Sequence, residues 1–369
     1  MRPTRAVVDL SCIAHNVRAL RAVTAPEVRQ MAVVKADAYG HGAVPVARTA
    51  MEAGADWLGV ALVEEGLQLR EAGLSAPILV LGAIFAGDAE AAVAASLSVA
   101  VWDRESALAL EAAGRAAGTP APVHVKVDTG MGRLGIRPDE AAEFAFWIAG
   151  LPGLRLEGVF SHLAAADEAD LGFARRQLAE LRGVLAAMSG RGVRVGLRHV
   201  ANTAATIALP DSHLDLVRTG IGLYGLHPSP AVPHTVELRP AMSLRTRIAQ
   251  LKSVGPGVPL SYGATFVTRR PSRIATLPVG YGDGYPRLLS NRGEVLLHGR
   301  RAPIVGRVCM DMLLADATEI PGVETGDEAV LFGRQGDEVI GAEELAEAVG
   351  TIHYEITCGV GSRVPREYV

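Results

Sequence analysis

Residues Met31 to Gly42 read M-A-V-V-K-A-D-A-Y-G-H-G. Met31 to Val34 are apolar and β-prone, enough for a short buried strand, and the run stops at Lys35. Asp37, Gly40 and Gly42 then bring loop chemistry. An ammonium at the mouth of a buried strand is costly to desolvate unless it is paired. Two readings follow. The stem of Lys35 packs while its head reaches water, or a desolvated amine sheds its proton and forms a Schiff base with a carbonyl cofactor.

Working outward, Val7 and Val8 suggest a strand, and Ser11 can cap a helix whose inner face is Ile13, Val17 and Leu20. Apolar runs then recur at Met31–Val34, Trp57–Leu62, Ile78–Leu81, Leu97–Val101, Val123–Val127, Leu156–Phe160, Val195–Val200 and Leu214–Val217. Between most of them lie helix-forming stretches: Ala43–Glu52, Glu64–Ala72, Asp88–Ala95, Glu105–Ala117, Pro138–Ala149, Ala174–Met188 and Thr203–Leu209. Alternating strand and helix predicts a parallel sheet covered by helices. Eight repeats match a (β/α)8 barrel. An open doubly wound sheet competes, but no G-x-G-x-x-G follows the first strand, which argues against its dinucleotide-binding version.

Beyond about Pro240 short β-prone runs alternate with Gly/Pro turns, and only Glu343 to Val349 reads as a helix. The expected organisation is α/β: a barrel over residues 1–237 and a mainly β domain over 238–369. The strand in residues 1–10 is a candidate to join the β domain.

The chain has 369 residues, 49% hydrophobic and 21% charged, with net charge −4, so nothing points to nucleic acid or an anionic membrane. Cys12, Cys309 and Cys358 are odd in number and scattered, which suits a reducing compartment and offers no zinc site. Met1 to Leu10 lacks the apolar core of a signal peptide, and Ala89 to Val101 is too short to span a bilayer. A soluble cytoplasmic protein is expected.

Polar residues fall where those strands end. Lys35 follows the first run, Arg133 the fifth, His162 the sixth, Asn202 and Thr203 the seventh, and Arg218 the eighth. In a (β/α)8 barrel all of them face one mouth, where such enzymes keep their chemistry. Thr219 to Gly222, T-G-I-G, offers backbone N–H groups, and Thr203 offers a hydroxyl at a helix start; barrels commonly bind phosphate there. A phosphorylated aldehyde opposite a lysine means pyridoxal 5′-phosphate.

The motifs V-V-K-A-D-A-Y-G-H-G, K-V-D-T-G-M-G-R-L-G, R-T-G-I-G-L-Y-G, S-Y-G-A-T-F, G-Y-G-D-G-Y-P-R, G-R-V-C-M-D-M and S-R-V-P-R-E-Y resemble those of the bacterial alanine racemases. The resemblance spans essentially the whole chain. It implies that Lys35 carries the cofactor and serves as base for the D-enantiomer, with Tyr262 the base for the L-enantiomer. It implies that Tyr39, Thr203, Gly220 and Ile221 hold the phosphate, with Asn202 beside them, and that Arg218 faces the ring nitrogen. His162 with Arg218 would stand behind the tyrosine, and Arg133, Met310 and Asp311 would bind the substrate carboxylate. It further implies a homodimer in which Tyr262, Met310 and Asp311 come from the other subunit, and a role supplying D-alanine for peptidoglycan. Lys126 is the family's candidate for carbamylation.

The chemistry agrees with that assignment. Racemisation removes the Cα proton and returns it on the opposite face, which two bases do most directly. A tyrosine of ordinary pKa near 10 needs nearby donors or positive charge to act as a base. A guanidinium does not release its proton, so Arg218 would leave the ring nitrogen largely unprotonated and favour reprotonation at Cα over transamination. One departure is Ser362, where many relatives have tyrosine; a smaller side chain there rejects larger substrates weakly. The alternatives are a serine or broad-specificity racemase and a related barrel decarboxylase. Read alone, S-Y-G-A-T is a plain hairpin with a half-buried tyrosine.

Overall fold

The strand runs are short and apolar on both faces, so they are stable only inside a sheet covered on both sides. The computed structural model, which describes residues 2–369, arranges them in this way. After β1 (Arg5–Val8) come β2 (Arg29–Val33), β3 (Trp57–Val60), β4 (Ile78–Val80), β5 (Ser98–Val101), β6 (Ala121–Lys126), β7 (Leu154–Phe160), β8 (Leu197–His199) and β9 (Leu216–Thr219). Strands β2 to β8 pair in parallel in chain order, and β9 returns to pair with β2. The remaining seam is drawn together by Asp215 N–H donating to Arg198 O at 3.0 Å and Arg218 N–H donating to Ala201 O at 2.9 Å. The result is a nearly closed eight-stranded parallel barrel whose walls bury Met31, Leu58, Ile78, Val99, Val123 and Val159 completely.

The helices of this unit follow from local chemistry. In Arg104–Ala117 the Asp103 side chain accepts the Ser106 N–H at the start, and Gly118 closes the end in the left-handed region. Ala107, Leu110 and Ala113, spaced by three, form the buried stripe between them. Most element ends shift from expectation by a residue or two, and two of the shifts bear on the site. The run Val195–Val200 contracts to Leu197–His199, and Arg218 lies within β9 rather than after it, because β2 keeps pairing there, Met31 opposite Arg218 and Ala32 opposite Thr219.

The second unit comprises residues 2–11, Tyr39–Gly42 and Pro240–Val369. Its strands are β10 (Met242–Arg247), β11 (Gln250–Val254), β12 (Pro259–Leu260), β13 (Phe266–Val267), β14 (Ser272–Leu277) and β15 (Glu294–Leu297). They continue with β16 (Arg300–Pro303), β17 (Leu313–Asp316), β18 (Glu328–Gln335), β19 (Glu338–Ile340) and β20 (Arg366–Tyr368). The main sheet runs β16-β15-β18-β10-β1-β20, so the first strand lies between β10, antiparallel, and the last strand, parallel. Helix Ala342–Val349 is joined by a second helix, His353–Cys358, which the sequence reading lacks. Gly350 ends the first helix in the left-handed region, and the short second one buries only His353, Ile356 and Thr357, too few positions to show a period. No helix among the described residues is long and apolar enough to cross a membrane.

Gly40 shows how tightly Tyr39–Gly42 is held in this unit. Its φ is +84°, and an added Cβ would lie 2.2 Å from the Thr357 carbonyl oxygen. Gly40→Ala should therefore destabilise the chain by roughly 3 kcal/mol or more, combining positive-φ strain with a backbone clash. Urea denaturation would check this; a change within about 0.5 kcal/mol, as at an ordinary surface position, would contradict it.

Candidate active site

At the end of β2 the chain enters an unusual turn. Ala36, Asp37 and Ala38 have φ and ψ near +50°, and Tyr39 has φ 53°. Left-handed conformation costs L-residues about 1–2 kcal/mol each. Glu65 Oε1 accepts the Ala36 N–H at 2.6 Å, and Asp37 Oδ1 accepts the Ala43 N–H at 2.8 Å. The other oxygen of Glu65 accepts Ala61 N–H at 2.7 Å, tying this turn to the loop after β3. Lys35, half-buried, opens the turn.

Arg218, on the strand beside Lys35's, is 4% exposed. Its Nη1 donates to His199 Nδ1 at 2.9 Å. Its Nη2 donates to Ser161 O at 2.9 Å, His162 Nδ1 at 3.1 Å and Val200 O at 3.2 Å. The Nε–H and the second Nη1–H lie outside these four bonds. Burial pulls the guanidinium's pKa down to about 9. Gln30 Nε2 donates to Thr219 Oγ1 at 3.2 Å and Tyr224 Oη to Val33 O at 2.9 Å, fastening β2 to β9 and to the turn after it.

Burial, then the charges of Arg218, Arg133, Lys126 and Lys35, push the His162 pKa well below its ordinary value. The ring is neutral and its Nδ1 accepts from Arg218, so Nε2 carries the proton. Gln177 sets this loop by donating to the His162 carbonyl at 3.1 Å and accepting Ala164 N–H at 2.9 Å. Lys126 lies between aromatic rings, 5.7 Å from Trp102 and 5.5 Å from Phe160. Burial and the charges of Arg218, Arg133 and Lys35 lower its pKa to about 8. Arg133 is exposed on a loop organised by Asp128, whose Oδ1 accepts the N–H groups of Gly130 and Gly132, each at 3.0 Å. Lys35, Lys126, Arg133, His162 and Arg218 thus act on one another electrostatically at one mouth.

At the same barrel end, Asn202 caps helix Thr203–Ala208 by accepting the Ala205 N–H at 3.0 Å. The Thr203 hydroxyl accepts the Gly220 N–H at 2.8 Å. A Cβ at Gly222 would lie 2.7 Å from the Thr203 methyl, so the glycine lets this hydroxyl approach the turn Ile221–Tyr224. First-turn N–H groups of a helix have no partner within it and favour anions. These donors lie at the barrel end that also bears the Lys35 amine and the Arg218 guanidinium, a combination that fits a phosphorylated aromatic aldehyde.

The remaining predicted residues belong to the second unit. Tyr39 is buried there. Tyr262 begins a 3-10 turn between β12 and β13 and is 72% exposed, not half-buried. Ser261 anchors that turn by donating to Arg307 O at 2.7 Å. Met310 is exposed, its carbonyl accepting Gly282 N–H at 2.8 Å, and Asp311 accepts from Arg363 at 2.6 Å. Sequence reading missed His124, Glu157, Ser161, Gln177 and His199. Histidines interrupting the apolar runs V-H-V-K and L-R-H-V were the available signal.

The family model "Alanine racemase, N-terminal domain" matches residues 8–228, and "Alanine racemase, C-terminal domain" matches residues 241–368. The alanine racemase of Symbiobacterium thermophilum is 52% identical over 100% of this chain and 97% of its own length. That of Halothermothrix orenii is 48% identical over 100% and 97%. The crystal structure of alanine racemase from D-cycloserine-producing Streptomyces lavendulae superposes with TM-score 0.95 at 43% identity, covering 100% of this chain and 97% of that one. The Bacillus anthracis enzyme with bound L-Ala-P gives 0.94 at 40% identity, covering 100% and 95%.

Asp128 provides a check on the loop. Burial raises its pKa, but the backbone N–H groups of Gly132, Gly130, Met131 and Arg133 outweigh this and hold it below its ordinary value. A depressed carboxylate contributes stability above its unfolded pKa, near 3.9, and loses it as pH falls through the folded pKa. Asp128→Asn should cost about 1 kcal/mol at neutral pH, a modest figure because the group is partly solvated. That difference should shrink below about pH 4, and chemical denaturation across pH measures it.

Proposed function

We propose, on the premise that the chain belongs to the alanine racemase family, that it interconverts L- and D-alanine with pyridoxal 5′-phosphate, as a cytoplasmic homodimer supplying D-alanine for peptidoglycan. The observation that carries this reading is the convergence of Lys35, Lys126, Arg133, His162 and Arg218 at the barrel mouth that also bears Thr203. Such a positive site fits a phosphate dianion and a carboxylate together.

Lys35 carries the cofactor; Tyr39, Asn202, Thr203, Gly220 and Ile221 receive its phosphate, and Arg218 offers its ring nitrogen a donor that stays protonated. When bound, the cofactor supplies the electron sink that acidifies the substrate Cα proton. Arg133 orients the substrate carboxylate together with the partner subunit's Met310 and the partner subunit's Asp311. The Lys35 Nζ holds and returns the Cα proton on one face. The partner subunit's Tyr262 does so on the other, its oxygen aided by the His162 Nε2–H. Exposed Tyr262, Met310 and Met312 support a second copy covering this surface.

Purified protein should show a visible cofactor band and interconvert D- and L-alanine. Lys35→Ala should lose the band and at least about 10⁴-fold of the rate, as expected when a nucleophile and base are removed together. Tyr262→Phe should slow interconversion in both directions, because each crossing takes a proton with one base and returns it with the other; full activity in that variant would overturn the two-base scheme. Comparing kcat/KM for L-alanine and L-serine measures the latitude that Ser362 gives.

Lys126, with a pKa of about 8, holds an appreciable neutral fraction near physiological pH, the form that adds carbon dioxide. A carbamate there turns a cation into an anion beside Arg133. Protein equilibrated with ¹³C-bicarbonate should show one carbamate resonance that is absent from Lys126→Ala. No such resonance would leave Lys126 an amine.

A further inference from the structure

The bonds of Arg218 continue beyond the mouth. His199 Nε2 lies 2.9 Å from His124 Nδ1, and His124 Nε2 lies 3.2 Å from Glu157 Oε2. Ser98 Oγ donates to the same Glu157 oxygen at 2.5 Å, and Arg155 Nη1 to Oε1 at 3.0 Å. Arginine has donors only, and this decides the direction of every link. His199 accepts at Nδ1, so its proton is on Nε2. It therefore donates to His124 Nδ1, whose own proton sits on Nε2 and points to the carboxylate.

The protonation states agree. Burial, then the charge of Arg218, pushes the His199 pKa well below its ordinary value. Burial lowers that of His124 despite the hydrogen bond to Glu157. Burial raises the Glu157 pKa, but the bonds from His124 and Ser98 outweigh it and bring it to about 2. Two neutral rings thus connect a buried cation to an anion.

The fold makes room for this chain. An added Cβ at Gly158 would lie 2.4 Å from His124 Nδ1, and the β6–β7 register shifts between Val123 and His124. Phe160 stacks on His199 at 4.7 Å and 2°, and Trp57 meets His124 edge-on at 5.7 Å. These apolar walls strengthen polar links and make a mismatched one costly.

We propose that Glu157 is a positioning residue for Arg218: through His124 and His199 its carboxylate fixes the direction of the hydrogen-bond chain and so holds the guanidinium as a donor to the cofactor ring nitrogen. The proposal rests on the functional reading above for its last link only. Replacing the carboxylate with an amide offers His124 a donor as well as an acceptor. Reversal of the chain would then set a His199 Nδ1–H against an Arg218 N–H.

The test uses the full chain with ¹⁵N-labelled histidine, with and without pyridoxal 5′-phosphate. The wild type should show His124 and His199 as Nε2–H tautomers in both states. Glu157→Gln, which keeps the side chain's shape, should give His199 an Nδ1–H population. Gly158→Ala, which displaces the His124 ring without touching the carboxylate, should do the same. In the loaded enzyme, Glu157→Gln should raise pyruvate formed per racemisation turnover about tenfold, the lower end of what outer-shell partners contribute. That pyruvate arises when alanine's amino group passes to the cofactor and water supplies the keto oxygen. Arg218→Glu sets the upper end of the scale. Unchanged tautomers in Glu157→Gln, or changed tautomers with unchanged pyruvate partitioning, overturn the proposal. A wild type that binds no cofactor overturns the functional reading instead, while the tautomer result still judges the chain.

Discussion

A guanidinium 4% exposed inside a barrel constrains everything near it. Arg218 has no acceptor atom and does not shed its proton, so each buried N–H must find a lone pair. Two are main-chain carbonyls, Ser161 and Val200, which fixes the exits of β7 and β8. Two are imidazole Nδ1 atoms, and because only neutral rings can accept there, His162 and His199 are fixed both in charge and in tautomer. The guanidinium thereby turns His162 into a directed donor and His199 into the first link of a polarised chain. Losing the His199 acceptor would remove the Nη1 bond, whereas Nη2 shares its two hydrogens among three acceptors and is held redundantly.

The strand on which Arg218 lies also pairs with the strand that ends at Lys35. Met31 sits opposite Arg218, so backbone register places the strand that leads to Lys35 beside the one that carries the guanidinium. The left-handed turn from Ala36 to Tyr39 then stops β2 abruptly. Its strain is held by Glu65 and Asp37, carboxylates that accept backbone N–H groups which the turn would otherwise leave open. Strain of this kind persists only where its surroundings over-determine it, and reacting groups are commonly found there.

How much of this could be read from residues alone depends on the scale of the signal. Eight apolar runs with helix-forming stretches between them were enough for the barrel, since a period repeated so often is compatible with few architectures. Lys35, Arg133, His162 and Thr203 were legible as polar residues just past those runs. His124 and Glu157 were not, because they sit inside strands: a histidine between two valines signals a buried polar group but not its partner on the neighbouring strand. The register shift that brings His124 to Glu157 is a property of paired strands, invisible in either strand alone. The turn after Lys35 was hidden for a different reason: alanine, aspartate and tyrosine do not advertise positive φ as glycine does. S-Y-G-A-T does join two antiparallel strands as a hairpin, but Ser261 at φ 62° opens a 3-10 turn there that leaves Tyr262 exposed rather than half-buried.

The charge pattern of the mouth has its own logic. Lys126 and His162 both have depressed pKa values, in part because the cations around them repel further positive charge. That repulsion is a standing cost to the folded chain, borne by the helices and sheet that hold the groups together. Any anion that binds here relieves it, so the barrel should gain stability by mass action as the site fills. The neutral histidines matter to this balance. Had His162 or His199 accepted a proton, the mouth would carry more charge but would lose the acceptors that hold Arg218, and the direction of donation would be lost with them. The site thus gets its positive potential from lysine and arginine, and its directionality from imidazoles kept neutral between a buried guanidinium and a carboxylate.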